Sequence, residues 1–396
     1  MRRWRICIVS TSRADYGGLV WLAREVQDDS ALELQLAVVG DHWASDPARR
    51  AARVTDDGAP VALVVEATPR NDQAASIGAA CATALEHFAA AFPALAPDVV
   101  IVLGDRFELM APALAATVHG IPLAHIHGGE LSLGAIDNDV RHALTKLAKL
   151  HFVATGRYAA RVVQMGEPEE SVFCVGAPAL DGMKAMPPMS RRELERETGA
   201  SFDSPVLLVT YHPVTREPGS AREQVAAVLD AVARSGRPAI LTTANADVDG
   251  ATINAMMAAF AGRDPRRYRL FEHLGQRRYF GCLRHCAAML GNSSSGLVEA
   301  PAFELPVVNV GNRQEGRVRA ANVIDANVDA DEILAALGQA LDPGFRRRLH
   351  GMANPYDPHG DGRTSWRIKE LLKSKLSAGL APRKRFQDSV PAEAAP

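Results

Sequence analysis

The chain is poor in cysteine and aromatic residues, nearly free of net charge, and without any long uninterrupted apolar run. Its five cysteines, Cys7, Cys81, Cys174, Cys282 and Cys286, are odd in number and scattered through 396 residues. That pattern fits reduced thiols and argues against a disulfide framework. A formal net charge of -2 offers no electrostatic footprint for nucleic acid. No run approaches the roughly 18 apolar residues of a membrane-spanning helix, and the apolar stretch 6–9 is far shorter than the core of a signal peptide. These absences lead to the expectation of a cytoplasmic protein with neither nucleic acid nor membrane as a partner.

What is present is ordinary for a globular protein: 47% hydrophobic and 23% charged residues. The length accommodates two domains, each with its own core. Short apolar runs ending in Gly, Ser or Asp alternate with helical patterns. ICIVS (6–10), LQLAVVGDH (34–42), DVVIVLGD (98–105), PLAHIHGGE (122–130) and LHFVAT (150–155) read as strands. The alternation breaks at the Gly-, Pro- and Met-rich stretch 176–190. It resumes with PVLLVTYHP (205–213), PAILTTANAD (238–247), RYRLFEHL (267–274), AAMLGNSSSG (287–296) and PVVNVGN (306–312). Apolar strands with helices between them imply parallel sheets covered on both faces. The expected architecture is therefore α/β, two Rossmann-like domains facing a central cleft, spanning 1–180 and 181–364. A terminal helix (365–377) and a disordered tail (378–396) complete the chain. In such sheets a ligand sits outside the carboxyl ends of the strands, so the strand ends are where chemistry is sought.

Those ends are rich in it. TSRADYG (11–17) is either a plain capping turn or an anion site in which Arg13 meets a diphosphate. In GDRFE (104–108), Asp105 is a helix cap or a catalytic carboxylate, and Arg106 could hold it ionised or reach a phosphate. HIHGGELSLGAIDNDVRHA (125–143) is the densest motif. Strand alternation would put His125 and His127 on one face, with Glu130, Asp137, Asp139, Arg141 and His142 following. This set suits acid–base work or a metal, and a polar loop around satisfied core histidines is the plainer reading. In the second half, His212 ends a strand, and GNSSSGLVE (291–299) offers serines at a helix N-terminus to a diphosphate. Glu299 could hold a ribose diol or merely complement the helix dipole. Arg313 and Arg317 in GNRQEGR (311–317) add cations. Cys282 and Cys286 read as buried thiols, since zinc would need more ligands.

TSRADYG, GDRFE, HIHGGE, IDNDVRHA, YHPVT, TTANADVDG, GNSSSG and GNRQEGR occur in this order at strand ends. Together they resemble the hydrolysing UDP-N-acetylglucosamine 2-epimerases of sialic-acid biosynthesis, over about residues 5–366. The resemblance implies the glycosyltransferase-B fold, a UDP-sugar partner, and conversion of UDP-N-acetylglucosamine and water to N-acetylmannosamine and UDP through a 2-acetamidoglucal. It calls for no nicotinamide, no other cofactor and no resident metal, and relatives suggest a homodimer or homotetramer. By the same resemblance Arg13, His212, Ser293, Ser294 and Arg313 serve the diphosphate, Glu299 the uridine ribose, and His42, Arg106 and Asn292 the substrate. Asp105, Asp137 and the acid of the HI-x-GGE motif serve the sugar. Some relatives carry Glu where this chain has His127, so proton handling falls either to His127 or to Glu130. The same motifs are shared by epimerases of UDP-2,4-diacetamido-2,4,6-trideoxyhexoses from legionaminic-type pathways, which is the alternative reading. A glycosyltransferase and a metal-dependent hydrolase built on His125 and His127 are the remaining rivals.

Overall fold

The computed structural model describes residues 2–40, 55, 58–71, 73–244, 248–380 and 384–388. The chain divides into two compact units. The first comprises Met1–Glu130, Asp137–Asp181 and Tyr356–Pro396, and the second Leu131–Ile136 and Gly182–Pro355.

The first unit is built on seven strands: β1 (Trp4–Ser10), β2 (Leu32–Val39), β3 (Leu63–Val65), β4 (Val99–Leu103), β5 (Leu123–Ile126), β6 (Leu150–Val153) and β7 (Val172–Cys174). They pair in the order β3-β2-β1-β4-β5-β6-β7, and every pairing is parallel. Continuous runs such as VVIVL form strands here because both faces of a parallel sheet are covered by helices. The alternation of the pleat is visible in β1. Ile6 and Ile8 join a cluster with Leu19 and Leu22 of the helix Arg13–Gln27, and with Ile368 and Leu372 of the helix Thr364–Ala378. Cys7 and Val9 face the other way, onto Phe88 and Phe92. Burying Ile368, Leu372 and Leu376 contributes roughly 1.5–3 kcal/mol each, and Lys369 and Lys373 add ion pairs to Glu25 (2.9 Å) and Asp29 (2.7 Å).

Two sequence expectations change here. Residues 131–136 pack with the second unit and 356–364 with the first, so the boundaries are not those of a simple two-way division of the chain. The stretch expected to be a disordered tail includes residues 384–388, which lie against the first unit. Lys384 Nζ reaches buried Glu167 at 2.7 Å and donates to Lys146 O and Ala148 O at 2.5 and 2.7 Å. It thereby caps the last carbonyls of the helix Asp137–Leu147. Among the described residues one helix, Ala74–Leu95, is long and apolar enough to cross a membrane by length and composition alone. It carries Glu86 and His87 and buries Ala80, Ala84, Phe88 and Phe92, the last three in the core of the sheet.

The second unit holds β8 (Leu207–Thr210), β9 (Ala239–Thr242), β10 (Tyr268–Phe271), β11 (Ala288–Gly291), β12 (Val307–Val310) and β13 (Val323–Ala326). Their order is β10-β9-β8-β11-β12-β13, again all parallel. Cys282 and Cys286 are buried thiols in one of its two cores. Three strands went unread in the sequence: β3, β7 and β13. Each is three or four residues long, and β3, β7 and β13 all lie at sheet edges. Half-covered strands need no long apolar run, so they leave little trace. Each sheet reverses its strand order once, between β1 and β4 in the first unit and between β8 and β11 in the second. Those reversals mark where an α/β sheet opens a ligand crevice.

Candidate active site

At the reversal in the first unit, β1 runs into the turn of TSRADYG. Ser12 caps the helix Arg13–Gln27 by accepting from Asp15 N at 3.1 Å, and the Thr11 hydroxyl bonds the Asp15 carboxylate. Arg13 opens this helix, but its side chain lies outside the described residues, as does the whole of His42. Arg106 turns to two other carboxylates. Its guanidinium grips buried Glu108 through two bonds of 2.8 and 3.2 Å and stands 4.0 Å from Asp15. Burial raises the Asp15 and Glu108 carboxyls above their ordinary range, and Arg106 opposes the shift in both.

Asp105 pairs with Arg141, a residue the sequence offered only as a neighbour of other acids. Arg141 is 1% exposed and sits one helical turn beyond Asp137, on the helix Asp137–Leu147. Its Nη2 donates to Asp105 Oδ2, its Nη1 donates to His127 O at 2.8 Å, and Nη1 stands 3.9 Å from Glu130 Oε2. A buried guanidinium with five fixed donors suits such a hub, because an isolated buried charge would be very costly. Glu130, also 1% exposed, lies 2.6 Å from His127 Nδ1. Asp105, His127, Glu130 and Arg141 thus form one cluster at the ends of β4 and β5. Asp137 opens the helix that carries Arg141 and is half-buried.

The expectation that His125 and His127 share a face fails at the backbone. β5 ends at Ile126, and His127 turns to φ +66°, a left-handed conformation that non-glycine residues adopt rarely and often at functional sites. His125 stays sealed in the sheet, with Nε2 2.8 Å from Gly104 O and Nδ1 3.1 Å from Thr145 Oγ1. Burial drives its pKa down to about 3. With both ring nitrogens engaged, His125 is a core histidine, and the paired-histidine metal reading loses one of its ligands. No group of three or more metal-ligating side chains occurs among the described residues. Gly129 explains the second glycine of the motif: at φ +76°, a Cβ there would stand 2.6 Å from Tyr158 O, so only glycine lets the chain pass.

In the second unit the reversal between β8 and β11 places His212 beside Asn292. His212 N donates to Asn292 Oδ1 at 2.7 Å, and Asn292 Nδ2 donates back to His212 O at 2.8 Å. Asn292 O accepts from Arg313 Nη1 (3.2 Å) and from Gln314 Nε2 (2.8 Å). Ser293 and Ser294 follow on a turn, but the expected helix is only Ser295–Val298. Pro301 interrupts it with a short 3-10 segment, Ala300–Phe303. Glu299 therefore lies at the carboxyl end of that single turn, where a negative charge opposes the dipole. The same residue is the N-cap of the 3-10 segment Ala300–Phe303, where its charge is favourable. Separately, a cavity of about 450 Å³ at the ends of β12 and β13 is lined by Glu217, Asn312, Arg319 and Asp325, among others. Gly311, Asn312 and Glu315 of the GNRQEGR motif line it, but none of the residues assigned to substrate or catalysis does.

Two parallel doubly wound units, each with its polar residues gathered where the strand order reverses, define a two-domain α/β enzyme of the glycosyltransferase-B kind. The crystal structure of UDP-GlcNAc 2-epimerase from Neisseria meningitidis bound to UDP-GlcNAc has the same fold. It matches with a TM-score of 0.78 at 16% identity, covering 94% of this chain and 100% of that one. The family model described as UDP-N-acetylglucosamine 2-epimerase matches residues 24–373, and the chain belongs to that family. It is 36% identical over 371 residues to a UDP-N,N'-diacetylbacillosamine 2-epimerase (hydrolyzing) of Legionella pneumophila, covering 93% of this chain and 96% of the relative. It is 34% identical over 339 residues to a GDP/UDP-N,N'-diacetylbacillosamine 2-epimerase (hydrolyzing) of Campylobacter jejuni, covering 85% and 88%.

Proposed function

We propose that this chain is a hydrolysing 2-epimerase acting on a UDP-2,4-diacetamido-2,4,6-trideoxyhexose, releasing UDP and the free sugar inverted at carbon 2. The substrate follows the alternative of the sequence reading rather than UDP-N-acetylglucosamine. Two relatives matched over most of their length carry N,N'-diacetylbacillosamine, a sugar of that class, in their names.

The observation that carries the reaction type is the cluster of His127, Glu130, Arg141 and Asp105. An ionised Glu130 can only accept, so it orients the ring with the proton on Nδ1 and leaves Nε2 as the basic nitrogen. This division makes His127 the proton-handling group and Glu130 its orienting partner. The base removes the carbon 2 proton as the carbon 1–oxygen bond to UDP breaks, leaving a carbon 1–carbon 2 double bond. Water then adds its hydroxyl to carbon 1, and a proton returns to the opposite face of carbon 2. Asp105 and Asp137 are the carboxylates assigned to the second proton transfer and to the water. His212, Asn292, Ser293, Ser294 and Arg313 receive the diphosphate, with Arg13, and stabilise the charge of departing UDP. Glu299 takes the ribose diol, and His42 and Arg106 are assigned to the substrate by the family resemblance alone.

Proton NMR in deuterated water, with the trideoxy substrate and UDP-N-acetylglucosamine in separate tubes, tests the proposal. UDP together with a free trideoxy sugar deuterated at carbon 2 is the expected result. Efficient turnover of UDP-N-acetylglucosamine alone would return the assignment to that sugar. Release of UDP without deuterium at carbon 2 would refute epimerisation.

A further inference from the structure

Residues 384–388 (KRFQD) dock on the first unit beside Gly166 and the end of the helix Asp137–Leu147. Gln387 N donates to Gly166 O at 2.9 Å. Gly166 stands at φ +86°, and a Cβ there would lie 2.5 Å from the Phe386 ring. Lys146 Nζ stands over the same ring, 4.8 Å from its centroid. Lys384 reaches deeper. Its Nζ lies 2.7 Å from Glu167 Oε2, on a carboxylate that is fully buried. It also donates to Lys146 O, Ala148 O and Thr145 O at 2.5, 2.7 and 3.3 Å. The last carbonyls of a helix lack intrahelical partners and favour a cation, so one ammonium closes the helix and pairs a buried charge.

The held carbonyls lie one turn from the catalytic cluster. Thr145 Oγ1 stands 3.0 Å from Arg141 O and 3.1 Å from His125 Nδ1. The turn carrying His127 and Glu130 rests on the same hydroxyl, since a Cβ on Gly128 would stand 3.1 Å from it. One turn before Thr145, Arg141 donates to Asp105 and to His127 O. All of these residues belong to the first unit. Fraying of the last helical turn moves Thr145 away from Gly128 and tilts Arg141. The groups Lys384 holds, at Thr145, Lys146, Ala148 and Glu167, are not assigned to substrate, so fraying disturbs the cluster without removing a substrate contact.

Resting on the functional reading above, we propose that Lys384 is a positioning residue: docked on Glu167 and the end of the helix Asp137–Leu147, it fixes Thr145 and Arg141, and through them the geometry of Asp105, His127 and Glu130.

The test uses the full chain carrying Lys384→Ala, Lys384→Arg or Lys384→Gln. Steady-state kinetics on the trideoxy substrate, calorimetric UDP binding and hydrogen exchange are read at a temperature where each variant is folded by circular dichroism. Glu167 keeps Lys146 and His151 when Lys384 is removed, so Lys384→Ala is expected to fold. It should lower kcat by about tenfold, since misplacements near 1 Å cost up to about 100-fold. KM and the UDP Kd should stay within about threefold, the signature of a loss confined to the transition state. Lys384→Arg, which keeps the charge and the donors, should recover part of kcat. Amides 144–148 should exchange faster in Lys384→Ala than in the wild type, while those of the helix Arg13–Gln27 in the same unit stay unchanged. A wild-type kcat in Lys384→Ala, UDP affinity falling by the same factor as kcat, or unchanged exchange at 144–148 overturns the proposal. So does a Lys384→Arg variant no faster than Lys384→Ala. If Lys384→Ala does not fold, Lys384→Gln, whose amide still donates but carries no charge, must show the same split between kcat and UDP affinity. A wild type that binds UDP but turns over neither sugar overturns the functional reading. Faster exchange at 144–148 in Lys384→Ala then still supports Lys384 as the anchor of that helix, and unchanged exchange overturns it.

Discussion

His125 sets a measurable dependence of stability on pH. The ring is fully buried between Gly104 O and Thr145. Burial, reinforced by the nearby Arg141 charge and only partly opposed by the Gly104 bond, lowers its pKa from 6.5 to about 3. The native ring is therefore neutral over a range in which the unfolded ring binds a proton. Stability must rise with pH wherever the unfolded state holds more protons. The contribution is complete above the unfolded pKa of 6.5, is lost as pH falls, and stops changing once pH passes about 3. The slope is about 1.4 kcal/mol per pH unit, and the full window amounts to at most about 5 kcal/mol, comparable with the whole stability of a marginal domain.

His125→Gln isolates the term, because the amide can still donate to Gly104 O but does not titrate. The second unit contains no tryptophan, since residues 131–136 and 182–355 hold none. Tryptophan emission in urea thus reports the first unit alone. Between pH 6 and pH 4 the wild type should lose stability faster than His125→Gln by about 1.4 kcal/mol per pH unit. His142 and His151, whose pKa values burial also lowers, act in both proteins and cancel in the difference. Equal slopes would show that His125 is not held neutral by its burial, and the reading of it as a core histidine would fall.

Two further outcomes are expected. Asp105→Asn and Asp137→Asn should each lower single-turnover formation of the free sugar by about 100-fold or more, the size of a lost acid–base group; near-normal rates in both would remove them from the chemistry. Burial raises the Glu167 carboxyl, but bonds from His151 (3.0 Å), Lys146 (2.5 Å) and Lys384 (2.7 Å) prevail and bring its pKa down to about 2. Glu167→Gln should therefore cost about 3–5 kcal/mol at neutral pH in urea melts. The deficit should shrink as pH falls from about 4.5 toward about 2, and a deficit that does not change over that window would refute the ion-pair account.

Much of this protein was legible along the chain. Runs such as VVIVL and LLVT, short and bounded by turn residues, read as strands covered on both faces, and polar motifs follow them in the sequence. Asp105, His127, Glu130, His212 and Asn292 could all be picked out because each stands at the end of such a run. Pairings between side chains were not legible, because they depend on which elements the fold brings together. Arg106 is Asp105's neighbour in sequence, yet it turns to Glu108 and Asp15, while Arg141 arrives from a helix 36 positions away. His125 and His127 look equivalent by strand alternation, but the strand ends at Ile126 and one positive φ sends their rings into different surroundings. Glu299 sat on a predicted helix that Pro301 cuts to one turn. Residues 131–136 lie inside the motif 125–143 but carry no titratable side chain, and their hydrogen bonds to Thr215, Arg216 and Arg317 became visible only in the folded chain. Local sequence sets strand, turn and charge through short-range sterics and hydrophobic pattern; only tertiary structure decides which buried charge faces which, because that choice depends on desolvation and distance between residues far apart in the chain.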